Sequence, residues 1–168
     1  DALSSDQLWQ NCQDTIKRSI GLFEQAGYDL EVEDYHFTIL LGNPEKPMLQ
    51  LNKGYSGDGG IPGYLMLSLL PNDYTLPRVQ AALAHNVRFQ FIKWNQQTTL
   101  ADWVVSEGLA ESFAAELYGK ELIGPWVTST RPEQLEEIKP IISSQLQLTG
   151  MAEMAPYLYG DEIAEIQG

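Results

Sequence analysis

Three side chains of this sequence could do chemistry together: one histidine and two glutamates on consecutive helical segments. His85 lies in one apolar helical pattern, and Glu107 and Glu111 lie in the next. Two glutamates four residues apart share a helix face, where their like charges are unfavourable unless a cation compensates them. Imidazole and carboxylate groups are also common zinc ligands. Two interpretations therefore stay open: a solvated acidic stripe, or a site where a metal ion or an arginine such as Arg88 compensates the glutamates.

The helix that carries His85 is predicted over about residues 75–94. Val79, Leu83 and Val87 recur every four residues and predict a face turned to the core. His85 lies two residues from Leu83 and from Val87, about 200° round the helix at 3.6 residues per turn. We therefore expect His85 on a second apolar face, either as a hydrogen-bonded structural residue or as a ligand aimed at a neighbouring helix.

Around these helices the sequence predicts an α+β fold and a single domain, residues 1–168. A small, mostly antiparallel sheet at about 31–70 is expected to pack on one side of a helical part at 75–168. Alternating side chains predict a strand at 31–43, and further strands are predicted at 49–52 and 64–70. Pro62 precedes the last of these and suits an edge strand, where a missing N–H does no harm.

Two helix starts are marked by capping sequences. Ser4 with Gln7 predicts the start of an N-terminal helix, and Thr99 with Asp102 predicts the start of the helix at 99–118.

Charge and composition exclude several classes of function. The chain has 10 basic and 23 acidic residues among 168, a net charge of −13, which argues against binding nucleic acid or anionic membranes. The single cysteine, Cys12, is expected to be a core thiol and favours a reducing, cytoplasmic compartment, and a leader removed before Asp1 stays open as an alternative. His36, the second histidine, is expected to be a half-buried strand residue that joins a metal site only if its strand passes close by.

Three segments of the chain carry a family resemblance. They read Gly-Asp-Gly-Gly-Ile-Pro-Gly63, Ala-His85-Asn-Val-Arg-Phe and Ser-Glu107-Gly-Leu-Ala-Glu111-Ser-Phe. From about Leu8 to its end the chain resembles the DUF2268 family of predicted zinc-dependent proteases, which is similar to gluzincin metallopeptidases. The resemblance implies a zincin-like fold, a zinc cofactor, a peptide or protein substrate, and further chain beyond Gly168. In such a family a His-Glu-x-x-His helix supplies two zinc ligands and the general base, and a glutamate on the next helix supplies the third ligand.

The sequence departs from this motif, and two registers are open. In the first, His85 is the second histidine, and Ala81 and Ala82 stand where the first histidine and the glutamate belong. In the second, His85 begins the motif, and Glu-x-x-His is absent before Asn86. The first is favoured because it needs no deletion, and it places Glu107 22 residues after His85 as the third ligand.

The resemblance thus implies His85 and Glu107 as metal-site positions. It also implies Glu111 as the residue that orients His85, and Arg88 remains a candidate partner of the glutamates in the cleft. No catalytic residue is assigned, because the motif glutamate is absent, and two ligands are too few for catalytic zinc. The first hypothesis is a zinc metallopeptidase that hydrolyses peptide bonds with a metal-activated water. The alternative is a non-catalytic peptide- or protein-binding domain on the same fold. The sequence predicts no oligomeric state.

Overall fold

The α+β fold predicted from the sequence is confirmed. A computed structural model of the chain describes residues 2–28 and 32–160. Short 3-10 turns at Ala2–Ser4, Leu76–Arg78 and Lys120–Leu122 accompany the main elements. In chain order these are α1 (Asp6–Gln25), β1 (His36–Leu41), α2 (Pro47–Leu51), β2 (Tyr55–Asp58), β3 (Tyr64–Leu69), α3 (Val79–Phe89), α4 (Leu100–Tyr118), α5 (Pro125–Thr128), α6 (Pro132–Ser143) and α7 (Met151–Tyr159).

The sheet is mixed rather than mostly antiparallel. Its strand order is β1-β3-β2, with β1 parallel and β2 antiparallel to β3. The chain passes through α2 and β2 before it returns as β3 in the middle of the sheet, so β3 runs beside β1 in the same direction. The strand predicted at 49–52 is wrong, because this segment belongs mainly to α2. Of the strand predicted at 31–43, residue 31 lies outside the described residues and His36–Leu41 form β1.

The edge position inferred from Pro62 is also wrong, since β3 is the central strand. Pro62 is compatible with it because β3 begins only at Tyr64, so the missing N–H removes no bond from the ladder. β2 is the edge strand that borders the helices.

The apolar face predicted for α3 is confirmed. Val79, Leu83 and Val87 are each at most 1% exposed. They pack against the sheet side chains Leu65 and Leu67, which are equally buried. This contact fixes α3 across the sheet and turns its opposite face towards α4.

Cys12 of α1 lies in the same core. It is fully buried, and burial raises the pKa of its thiol to about 11. The thiol is therefore protonated at neutral pH, as expected of a core cysteine.

The two predicted helix caps have different outcomes. Thr99 and Asp102 form the predicted capping box: the Thr99 side chain accepts from the Asp102 N–H at 3.2 Å, and Asp102 accepts from the Thr99 N–H at 2.9 Å. At α1 the residue that caps the helix is Ser5, without a side-chain hydrogen bond, because Ser4 belongs to the preceding 3-10 turn. The capping box predicted from Ser4 is therefore wrong.

A glycine-rich loop between β2 and β3 is tied to the end of α3. The Gln90 side chain accepts from the Gly63 N–H at 2.7 Å and donates to the Ile61 carbonyl at 3.0 Å. A side chain at Gly57 would collide with Asn86 of α3, so glycine allows β2 to lie directly against the helix. These contacts bring the sheet edge next to His85.

No helix among the described residues has the length and apolar character needed to cross a membrane.

Candidate functional site

A cleft of about 670 Å³ opens between the β2 edge of the sheet and the helical part of the chain. It is lined by residues from α2, β2, β3, α3, α4, α5 and α7 and from the segments between them. Its lining side chains include Tyr55, Asp58, Ala81, Ala82, His85, Asn86, Phe89, Trp94, Trp103, Glu107, Glu111, Trp126 and Tyr159.

His85 lies in this cleft on the second apolar face of α3, as predicted from its position in the helix. The residue is only 9% exposed. Its ring stacks on Phe89 with the ring centroids 5.4 Å apart, and the Trp126 ring lies edge-on at 6.0 Å. The aromatic contacts fix the plane of the imidazole, so its two nitrogens face α4.

α4 presents Glu107 and Glu111 to the two nitrogens of His85. Oε2 of Glu107 lies 3.3 Å from Nε2, and Oε1 of Glu111 lies 2.8 Å from Nδ1. The Glu111 contact is a close ion pair rather than a well-directed hydrogen bond. The second oxygen of Glu111 accepts the backbone N–H of Gly124 at 3.0 Å. Glu111 is thus held on both sides, whereas the Glu107 side chain is 39% exposed to the cleft.

Opposing effects set the pKa of His85. Burial alone would lower it, but the carboxylates of Glu107 and Glu111 outweigh burial and raise the pKa to about 9. His85 is therefore an imidazolium at neutral pH, because both neighbouring carboxylates favour its charged form. The cation that compensates the two glutamates in this structure is His85 itself.

The structure does not bring the other predicted residues to this group. The Arg88 guanidinium carbon lies 5.8 Å from the centroid of the Phe23 ring, which belongs to α1, and Arg88 is not among the described residues that line the cleft. His36 stacks on Tyr64 at 5.3 Å. It lies on β1, the sheet edge opposite β2, so it does not reach His85.

Comparison with known proteins places the chain in a family. The family model described as "Predicted Zn-dependent protease (DUF2268)" matches residues 8–167. This chain belongs to the DUF2268 family. A relative from Bacillus subtilis (strain 168), named "Uncharacterized protein YjfC", is 37% identical over 171 residues, which cover 99% of this chain and 56% of the relative. The chain thus spans little more than half the length of this curated relative. No solved structure matches the chain.

Both registers of the DUF2268 motif can be placed on α3. In the first, Ala81 lies one turn before His85 on the same face, and Ala81 and Ala82 both line the cleft. In the second, a turn is missing between His85 and Asn86.

The side chains present do not fit the zinc ion that the family description implies. His85 and Glu107 would supply two ligands, whereas a catalytic zinc site has three protein ligands and a water. Both oxygens of Glu111 already have partners, because one accepts the Gly124 N–H and the other pairs with Nδ1 of His85. Across residues 2–28 and 32–160, no three His, Cys, Asp or Glu side chains are grouped so that they could hold a metal ion.

Sequence reasoning missed the aromatic part of the site. Trp94, Trp103 and Tyr159 line the cleft close to Glu107. One signal was available: Trp103 precedes Glu107 by four residues, a spacing that puts both on one face of α4. Trp94 and Tyr159 lie outside both central helices, and only the tertiary structure brings them to the cleft.

Proposed function

We propose that this chain binds an extended polypeptide segment in the cleft beside β2 and does not hydrolyse it. The edge position of β2 carries the proposal. All four residues of Tyr55–Asp58 line the cleft, and among the described residues β2 pairs with β3 alone. An extended peptide can add to such an edge through its backbone, while its alternate side chains enter pockets.

The register of the β2–β3 ladder indicates which backbone groups are available. The N–H of Leu70 donates to the carbonyl of Gly54, so Gly54 is in a hydrogen-bonded pair with Leu70. In an antiparallel ladder such pairs alternate with non-bonded ones, so Tyr55 and Gly57 direct their N–H and carbonyl groups away from β3. These outward groups are the donors and acceptors that an added strand would use.

Membership of a family described as a predicted zinc-dependent protease supports a polypeptide as the ligand. It also favours the second candidate function, zinc-dependent hydrolysis of peptide bonds. The donor set argues against that candidate, because His85 and Glu107 are two ligands where three are needed. The residues on either side of His85 in the sequence, Ala84 and Asn86, carry no carboxylate that could act as a general base.

The experiment uses fluorescein-labelled peptides and fluorescence anisotropy. A peptide that binds is then made in two further versions. One version carries N-methyl groups on its odd-numbered backbone amides, and the other carries them on its even-numbered amides. Only every second amide of an added strand faces β2, so one version should lose about tenfold or more in affinity while the other keeps it. Equal affinities of the two versions would show that the peptide is not held as a strand.

The same peptide is incubated with the protein and excess zinc and then analysed by mass spectrometry. We expect it to stay intact. Cleavage that disappears in a His85→Ala variant would refute the non-hydrolytic proposal and establish the second candidate.

A further inference from the structure

An aromatic wall forms one side of the cleft. Trp94 and Trp103 stack with their ring centroids 4.2 Å apart and their planes 25° apart. Phe89 extends the stack, with its ring 5.7 Å from Trp94 and 6.3 Å from Trp103. All three residues line the cleft, and the two tryptophans remain partly exposed. Large aromatic faces open to a cavity attract apolar groups and, through their negative π-faces, cations.

Carboxylates lie beside this wall. Glu107 follows Trp103 by one helical turn, and Asp58 ends β2. Tyr159 also lines the cleft; burial first, and then the negative charges of Glu107 and Asp58, raise the pKa of its phenol. Both carboxylates line the same cleft as the aromatic wall, although they come from different elements.

The charge of the cleft is negative. It contains the carboxylates of Asp58, Glu107 and Glu111, and no described lysine or arginine lines it. Three carboxylates outnumber the single histidine of the lining, His85, so the cleft is negative whether or not that histidine carries a proton. Low-dielectric walls strengthen the attraction between such carboxylates and an incoming cation.

We propose that this end of the cleft is a subsite for a basic side chain, arginine or lysine, of the bound polypeptide. The cation pairs with Glu107 and Asp58, and the side chain lies against the exposed faces of Trp94 and Trp103. A planar guanidinium suits both contacts, because it stacks on aromatic rings and binds carboxylates through paired N–H groups. The inference rests on the proposed function, since it names the residue type that the polypeptide places here.

The test compares peptides that differ at one position. A set of labelled peptides of identical sequence carries arginine, lysine, citrulline or glutamate at that position, and the position is moved along the peptide. Citrulline keeps the shape of arginine and removes its charge. At the position that reaches the subsite, we expect arginine and lysine to bind about tenfold or more tightly than citrulline, and glutamate to bind most weakly.

Variants of the protein assign this preference to the subsite. Glu107→Gln, Asp58→Asn and Trp103→Ala should each reduce the ratio of arginine to citrulline affinity several-fold. Glu116→Gln is the matched control, because Glu116 lies on α4 outside the cleft lining and should leave the ratio unchanged. Thermal unfolding of each variant confirms folding, and Asp58→Asn tests the charge without touching the ion pairs of His85.

The outcomes separate the two proposals. Peptides that bind with equal affinity whether they carry arginine or citrulline would overturn the basic subsite and leave peptide binding standing. A preference that survives in both Glu107→Gln and Asp58→Asn would also overturn it. If none of the labelled peptides binds, both the subsite and the proposed function fail.

Discussion

The ion-paired His85 predicts a specific dependence of stability on pH. The pKa of this residue is about 9 in the folded protein, against 6.5 for a free histidine side chain. A raised folded-state pKa means that the stabilisation is fully present below about pH 6.5 and is lost as the pH rises through about 9. The difference of about 2.5 pKa units corresponds to about 3 kcal/mol of free energy of unfolding.

The perturbation that isolates this contribution is His85→Gln. Urea unfolding of the wild-type protein and the variant is measured at about pH 6 and about pH 10. Between these values the wild-type protein should lose about 3 kcal/mol more than the variant. Cys12 is present in both proteins, so the comparison cancels its contribution.

A matched pair of variants locates the cause. Glu111→Gln should reduce the loss of unfolding free energy between the two pH values, because it removes one of the two carboxylates that raise the pKa of His85. Glu116→Gln removes one glutamate from the exposed side of the same helix and should leave that loss unchanged. Stability curves of wild type and His85→Gln that run parallel from about pH 6 to about pH 10 would refute the ion-paired imidazolium. So would an NMR titration midpoint of His85 at or below about 6.5.

Three further predictions concern the core, the buried carboxylate and the motif. Leu67 is 0% exposed at the centre of the sheet, so Leu67→Ala should lower the free energy of unfolding, measured by urea titration, by about 2–5 kcal/mol. A loss below about 1 kcal/mol would contradict the packing of α3 on β3. Glu111→Ala should destabilise the protein by about 3–5 kcal/mol at neutral pH, because it removes a buried partner of His85 and the acceptor of the Gly124 N–H. If Glu111→Ala costs no more stability than Glu116→Ala, the pair of His85 and Glu111 does not stabilise the fold. Inserting Glu-Ala-Ala-His directly after His85 restores the motif in the second register and should give a protein that binds about one zinc in a calorimetric titration. The double variant Ala81→His/Ala82→Glu restores the motif in the first register. Tighter zinc binding by this double variant than by the insertion variant would favour the first register.

Much of the fold followed from local patterns in the sequence. The apolar stripe of Val79, Leu83 and Val87 predicted which face of α3 packs on the sheet, since side-chain period and burial are directly linked in a helix. The capping pair of Thr99 and Asp102 predicted the start of α4 to the residue. Both features depend only on residues within one or two turns of each other.

The sheet was harder to predict because strand order is a long-range property. Pro62 indicated an edge strand, yet the strand after it lies at the centre, between β1 and β2. The segment at 49–52 alternates like a strand, but Pro47 starts a short helix there. Alternation over four residues does not distinguish these two structures.

The sequence predicted which residues of the two central helices meet in the site, but it did not predict how their charges are compensated. His85, Glu107 and Glu111 were identified from spacing, and the structure brings them into contact. Their spacing left open whether the glutamates form a solvated acidic stripe or are compensated by a metal ion or an arginine, and the structure places His85 between their carboxylates. The aromatic wall with Trp94 came only from tertiary contacts.

We infer that the cleft of this chain is not a zinc site. The direct test is the zinc content of the folded protein, measured by elemental mass spectrometry after loading with excess zinc and dialysis. We expect far less than one zinc per chain, and the same content in His85→Ala. One zinc per chain in the wild-type protein, lost in His85→Ala, would contradict the claim and show that His85 belongs to a metal site after all.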